Sequence, residues 1–543
     1  MADAPAASGR SGTPLRTVRL GSLGLFAIGL IHRTVQLLLL WPALSKQIIA
    51  SAGNQVPTML PAVVMRDHPW LGLWYLQQTP PISYGIWATA LALFHTPNGL
   101  AISCLMLQAA LSSATAAAMA VLLWRFGIAR WWSFAIALVF LMSGGLLVIE
   151  YHTMGQMFHN LLTMLLLVLA GHLGITLSSA PASRPAILLG VCTGLLALTR
   201  ATFSFFLPVM AAWLLLVGGW RRPGVLVAFL LPALILQGSW TLKNYLAWDY
   251  VSSATSSWGG ANLYHGEVGR HGPAEFKQWI AGHPPLCRAP WYDLTVHMPP
   301  HSAIFYFIPV AWPANTLPPA VAEKDHEALE RLGAPTEWNS LAAALWSRCL
   351  MTEFGAFWIH RPALLVREWW QSYEVFWHPI SQYAVIQPTT LQPEIGVYSP
   401  KLNWWRSVRD AFGEVHDRYL MLNRGIKLEP LTRASFVSVP VIALPVLPEL
   451  ISALNFIVLH SLPFLFVVRV WRRGWWTPFP PGFWFLALVY AYAGGLSSIG
   501  EYSENMRYRL EVEPVIWVLS VLILREWIAC LRPRAHSGWA LRP

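Results

Sequence analysis

Charge is scarce in this sequence. Asp, Glu, Lys and Arg together make up 12% of its 543 residues, where soluble domains carry roughly 25%. So little charge cannot clothe a soluble globule of this length, and the long unbroken apolar runs assign most of the chain to lipid. Cysteine is scarce too, and Cys104, Cys192, Cys287, Cys349 and Cys530 show no paired metal-ligand spacing. No GxxxxGK[ST], GxGxxG after a strand, HExxH or CxxC occurs, so ATP-driven transport and nucleotide-bound redox chemistry lack their usual handles. A sizeable cytoplasmic domain to hold a nucleotide sugar is missing as well.

What is abundant fits a bilayer. Hydrophobic residues reach 55%, with 30 Trp and 41 Pro. Trp gathers where helices meet lipid headgroups, and membrane helices tolerate Pro better than soluble ones. A hydrocarbon core of ~30 Å takes roughly 20 apolar residues as helix. Candidate spans are 20–41, 98–124, 131–149, 157–178, 185–201, 203–219, 224–241, 450–471, 481–498 and 514–531. The fifth and sixth are short and would also suit one broken hairpin. The fold class expected is therefore an all-α polytopic membrane protein of about ten transmembrane helices. Residues 1–19 read as a disordered cytoplasmic tail, 20–241 as an N-terminal membrane domain of seven spans with an outer loop at 42–97, and 242–449 as an extracytoplasmic α-rich domain. The last three spans fill 450–531, and a cytoplasmic tail covers 532–543. The Pro-interrupted apolar stretch 436–448 reads as interfacial or re-entrant.

Orientation follows from Lys and Arg, which favour cytoplasmic loops. With the N-terminus inside, the inner connections hold Arg125 and Arg130, Arg184, Arg221 and Arg222, Arg472 and Arg473, and Arg532 and Arg534. This flanking role accounts for the net charge of +11 without a nucleic-acid partner. Of the acids, only Asp3 and Glu526 then face inward, so acid–base or metal chemistry belongs outside. Cys287 and Cys349 share an outer region where a disulfide is permitted. Matching inverted halves of a secondary transporter are not visible.

Several outer residues suit chemistry. Asp67, in Arg66-Asp67-His68-Pro69-Trp70, can serve as a general base for an acceptor hydroxyl, or can simply pair with Arg66 or His68 in a solvated loop. Glu150, Tyr151 and His152 end the third span, either as a site or as polar caps in an aromatic belt. Arg200, wedged between apolar runs, needs water or an anion, and its planar fork matches phosphate. His32 and Arg33 in the first span raise the same question. Lys243 follows the seventh span, ahead of SSATSSWGGANLYHG, whose Asn262 and His265 flank a small-residue stretch that lets backbone approach a ligand closely. The last outer loop packs Glu501, Glu504, Arg507, Arg509, Glu511 and Glu513 together, either for a lipid-borne phosphate or as a salt-bridged connector.

The order of these pieces resembles the C-type glycosyltransferases, in particular bacterial relatives of the protein O-mannosyltransferases and of the aminoarabinose transferases that modify lipid A. The resemblance rests on PPISYGIW in the first loop, Glu150-Tyr151, LALTRATF with Arg200, LKNYLAWDYVSSATSSWGGANLYHG and ENMRYRLEVEP. It implies a polyprenyl-phosphate sugar as donor, a membrane lipid environment, an outer carboxylate (Asp67 or Glu150) as base, and a lipid, glycan or protein acceptor at the outer face of a bacterial inner membrane. Tyr151, His152, Arg200, Lys243, Asn262, His265, Glu501, Arg507 and Arg509 would bind substrate. The resemblance fixes no cofactor, and a divalent metal fits the scheme. Family members usually carry an acid soon after the first span, whereas here that stretch reads WPALSKQIIASAGNQVP. The competing expectation is a non-enzymatic lipid or glycan transporter or assembly partner.

Overall fold

The computed structural model describes residues 20–35, 60–77, 79–143, 155–179, 182–217, 221–252, 317–334, 339–377, 447–473, 479–500 and 505–531, with isolated positions between them. The described residues are 88% helical, and no strand occurs among them. After α1 (Leu20–Val35) come α2 (Ala62–Asp67), α3 (Pro69–Tyr75), α4 (Pro81–Leu93), α5 (Pro97–Arg125), α6 (Arg130–Leu141), α7 (Gly155–Ser179) and α8 (Ser183–Thr199). A 3₁₀ turn (Ala201–Phe205) leads into α9 (Phe206–Leu216) and α10 (Pro223–Trp248). The large loop contributes α11 (Pro319–Leu332), α12 (Leu341–His360) and α13 (Pro362–Phe376). Then follow α14 (Leu447–His460), α15 (Leu462–Arg473), α16 (Pro481–Gly500) and α17 (Asn505–Leu531).

Among the described residues, five helical stretches are long and apolar enough to cross a membrane: Pro97–Arg125, His159–Ser179, Pro223–Trp248, Pro481–Ile499 and Tyr508–Leu531. Leu454–His460 and Leu462–Trp471 make a sixth if taken as one span bent by 46°. This is an all-α membrane protein. The other expected spans meet shorter apolar helices, α1, α6, α8 and the Ala201–Leu216 segment. Within the described residues each is under 18 residues, short of ~30 Å at 1.5 Å per residue, and Leu37 and Leu38 are helical beyond the end of α1. Helix length, rather than polarity, separates them from the other five.

Local signals explain the helix ends. Pro97 occupies the first turn of α5, where a missing N–H costs nothing, and the Thr96 side chain accepts from Gly99 N–H at 3.1 Å. Gly127, at φ +85°, turns the chain from α5 into α6, a conformation that favours glycine. α10 runs seven residues beyond the expected end of its span and closes on Asp249 in the left-handed region. Lys243 therefore sits inside the helix rather than after it.

Two apolar cores are present. The larger joins α5–α10 to α14–α17 and includes Phe376 and Trp377 at the end of α13. The smaller gathers α2–α4, the beginning of α5, Leu198 near the end of α8, the last turns of α10, and α11 and α12. The buried contributors to this second core come from segments expected toward the outer end of the membrane, while Phe376, Trp377, Tyr508, Leu510 and Val512, also read as outer, belong to the larger core. The basic ends meet elsewhere: Arg125 donates to His172 O at 2.8 Å and Thr176 Oγ1 at 2.9 Å, while Arg525 donates to Phe126 O. Cys104, Cys192 and Cys530 are buried. Cys349 is disulfide-bonded, and the expected partner, Cys287, lies outside the described residues.

Candidate functional site

Arg200 stands where α8 breaks. Its backbone is extended (φ −144°, ψ 123°), and its amide still closes the last turn on Leu196 O. The side chain turns into the core, where Nε lies 2.5 Å from Glu511 Oε1. The guanidinium carbon sits 4.7 Å from the centroid of the Tyr508 ring. Glu511 and Tyr508 are three residues apart on α17 and share one face of it. The Tyr492 hydroxyl of α16 donates to Thr202 O at 2.5 Å, tying the 3₁₀ turn to the same bundle.

The neighbouring face of α17 holds a second buried ion pair. Arg509 Nε lies 3.2 Å from Glu513 Oε2, one helical turn on, and Nη1 donates to Trp377 O at 2.9 Å. Trp517 Nε1 donates to the other Glu513 oxygen at 3.0 Å. Breaking such a pair by removing one partner strands a buried charge, at a typical cost of roughly 3–5 kcal/mol. The glutamates were visible only as members of a charged loop. That each serves one arginine was not, because side-chain facing depends on where helix α17 begins.

Trp377 is where the segment read as the large loop joins the larger apolar core. Tyr373 Oη lies 2.5 Å from Tyr490 Oη and 3.0 Å from His460 Nε2, and Trp369 Nε1 donates to Gly495 O at 3.1 Å. Trp369, Tyr373, Phe376 and Trp377 thus pack α13 against α14, α16 and α17, while Trp370 remains half exposed. Trp369 and Trp377 thereby make a protein-packing face.

The other expected site residues separate. Asp67 ends α2 in water, and both its oxygens accept from Arg66 (2.7 and 2.9 Å). Those hydrogen bonds hold its carboxyl below the usual carboxylate range. Lys243 donates to Leu76 O and lies 3.7 Å from the Trp240 ring centroid, so it joins the first outer loop to α10. Arg33 of α1 donates to Leu141 O and meets His32 Nδ1 at 2.9 Å. Gly260 approaches protein and not open space: its N–H donates to Ser347 Oγ at 3.1 Å, and a Cβ there would fall 1.7 Å from Ser347 O. Glu150, Tyr151, His152, Asn262, His265 and Glu501 lie outside the described residues, as does the side chain of Arg507. Among the described residues no group of three His, Cys, Asp or Glu could hold a metal ion.

No family model, curated protein or solved structure matches this chain.

Proposed function

We propose that the protein transfers a sugar from a polyprenyl-phosphate carrier to a lipid, glycan or protein acceptor on the outer face of a bacterial inner membrane. The observation that carries this reading is Arg200, buried two residues past Leu198 of the core that holds the loops read as outer, with Nη2 lacking an acceptor among the described residues although Glu511 meets Nε. A buried guanidinium donor left unmet is costly, and a lipid-borne phosphate reaches such a place from the bilayer. The disulfide at Cys349 supports an oxidising compartment for the same loops.

In this reading Asp67 takes the acceptor hydroxyl proton and the acceptor oxygen bonds to the sugar's anomeric carbon. The bond from that carbon to the phosphate oxygen breaks, and polyprenyl phosphate departs with the electron pair while Arg200 faces its charge. Arg66 keeps Asp67 ionised at neutral pH, at some loss of basicity. Glu150 is the other candidate base.

One observation favours a second reading, a lipid or glycan transporter or assembly partner. Tyr373, Tyr490 and His460 form a polar cluster within the C-terminal spans, where a translocation path would need such groups. The deciding experiment follows labelled sugar from a membrane lipid extract, comparing wild type with Asp67→Asn and Glu150→Gln at matched membrane levels. Transfer that one substitution lowers at least a hundredfold establishes the enzyme and chooses its base. Absence of transfer from every polyprenyl-linked donor leaves the transporter or partner reading.

A further inference from the structure

Arg200 does not meet Glu511 with its whole fork. The 2.5 Å contact at Nε is an ion pair without hydrogen-bond geometry, and Nη2 is buried without a hydrogen-bond acceptor among the described residues. The side chain is 10% exposed, so that donor is also withheld from bulk water. A buried guanidinium N–H left unmet is costly, and a bidentate anion on the Nη edge would answer it. Glu511 holds the Nε side and Tyr508 lies against the ring face, which fixes the direction of the remaining edge.

We infer that Glu511 is a positioning residue for a phosphate-binding Arg200: it orients the guanidinium through Nε, leaves the Nη edge to a phosphate monoester or diester of a lipid, and weakens that binding by its own charge. The inference rests on the transferase reading for the source of the phosphate and is otherwise a statement about anion binding. Orientation and charge separate by substitution. Glu511→Gln keeps the side-chain shape and an oxygen beside Nε and removes the negative charge. Glu511→Ala removes both. The pair of changes Arg200→Gln with Glu511→Gln leaves no uncompensated buried charge, so it should fold and yet lack the fork.

The test uses the full chain in lipid nanodiscs, with farnesyl phosphate as probe and farnesol as its uncharged control, read by binding isotherm and by the ligand-induced rise in thermal midpoint. Expected are tighter farnesyl phosphate binding by Glu511→Gln, about tenfold, with a larger rise in midpoint, weaker binding by Glu511→Ala, and loss of binding by the double variant. Farnesol should distinguish none of the four proteins. Equal affinity of wild type and both single variants would overturn the proposal, as would binding that survives in the double variant. Inorganic phosphate competing as well as farnesyl phosphate would still support the anion site while assigning its ligand to free phosphate. The expected pattern in a protein that transfers no sugar supports the site and removes only the transferase reading.

Discussion

At the scale of single residues, burial and hydrogen bonding compete most openly at Asp325 on α11. Its carboxylate accepts from the first amides of α12, Leu341 N–H at 2.6 Å and Ala342 N–H at 3.3 Å, and so caps a neighbouring helix across space. Burial pushes the carboxyl up to about 6, against those two bonds, which pull it down. The folded value lies above the unfolded one, so folding favours the protonated form. This contribution is present below the unfolded pKa of 3.8 and is lost as pH rises through about 6. At 1.36 kcal/mol per pH unit the ceiling is about 3 kcal/mol, and partial solvent contact makes the expected effect smaller. The thermal midpoint of the full chain should therefore fall between pH 4.5 and 7.5 by more in wild type than in Asp325→Asn. Equal slopes would mean that the two amides fully offset the burial.

At the scale of elements, the outer core depends on one close crossing. The Gly259-Gly260 pair invites a ligand when read as sequence, because a bare backbone suits either a phosphate or a neighbouring helix and one dimension does not distinguish them. In three dimensions α12 takes the place. A methyl at Gly260 would meet the rigid Ser347 carbonyl at 1.7 Å, whereas at Gly259 it would meet only the flexible Met351 Cε at 2.6 Å. Gly260→Ala should accordingly destabilise the outer core by about 1–3 kcal/mol, the usual cost of overpacking, and Gly259→Ala by much less. Limited proteolysis near α11 and α12 tests the contrast, and equal resistance of the two variants would refute it. The same limit explains what else could not be read. Helix-forming apolar runs announce themselves through composition, so α5, α7, α10, α16 and α17 were legible. Their terminal turns were not: α10 outruns its hydrophobic segment and carries Lys243 into contact with Leu76. Arg200 was legible as a charge in an apolar place. Its partner was not, since α8 and α17 come from opposite parts of the chain.

At the scale of the whole molecule, sidedness decides which chemistry is open to the protein. Charge bias gives the orientation expected of the chain, and the structure adds that several segments read as outer share a core while basic span ends meet elsewhere. These two facts are independent, because a hydrophobic core is indifferent to the count of arginines. Two exposed positions convert the argument into a measurement. Glu330 of α11 has a side chain 67% exposed, and Arg222 is exposed just ahead of α10. Cys104, Cys192 and Cys530 are buried and Cys349 is in a disulfide, so the background labelling from these four should be low. In intact cells a membrane-impermeant maleimide should react with Glu330→Cys at once, and with Arg222→Cys only after permeabilisation. The reverse pattern would turn the large loop toward the cytoplasm, reopen soluble nucleotide sugars as donors, and leave Arg200 and Arg509 facing the leaflet of the wrong side. Labelling of both from outside would instead strike at α10 as a crossing helix. The expected pattern would leave Arg200, with its Nη2 unmet among the described residues, toward the outer end of a lipid-embedded bundle, where a donor carried by the membrane is the chemistry within reach.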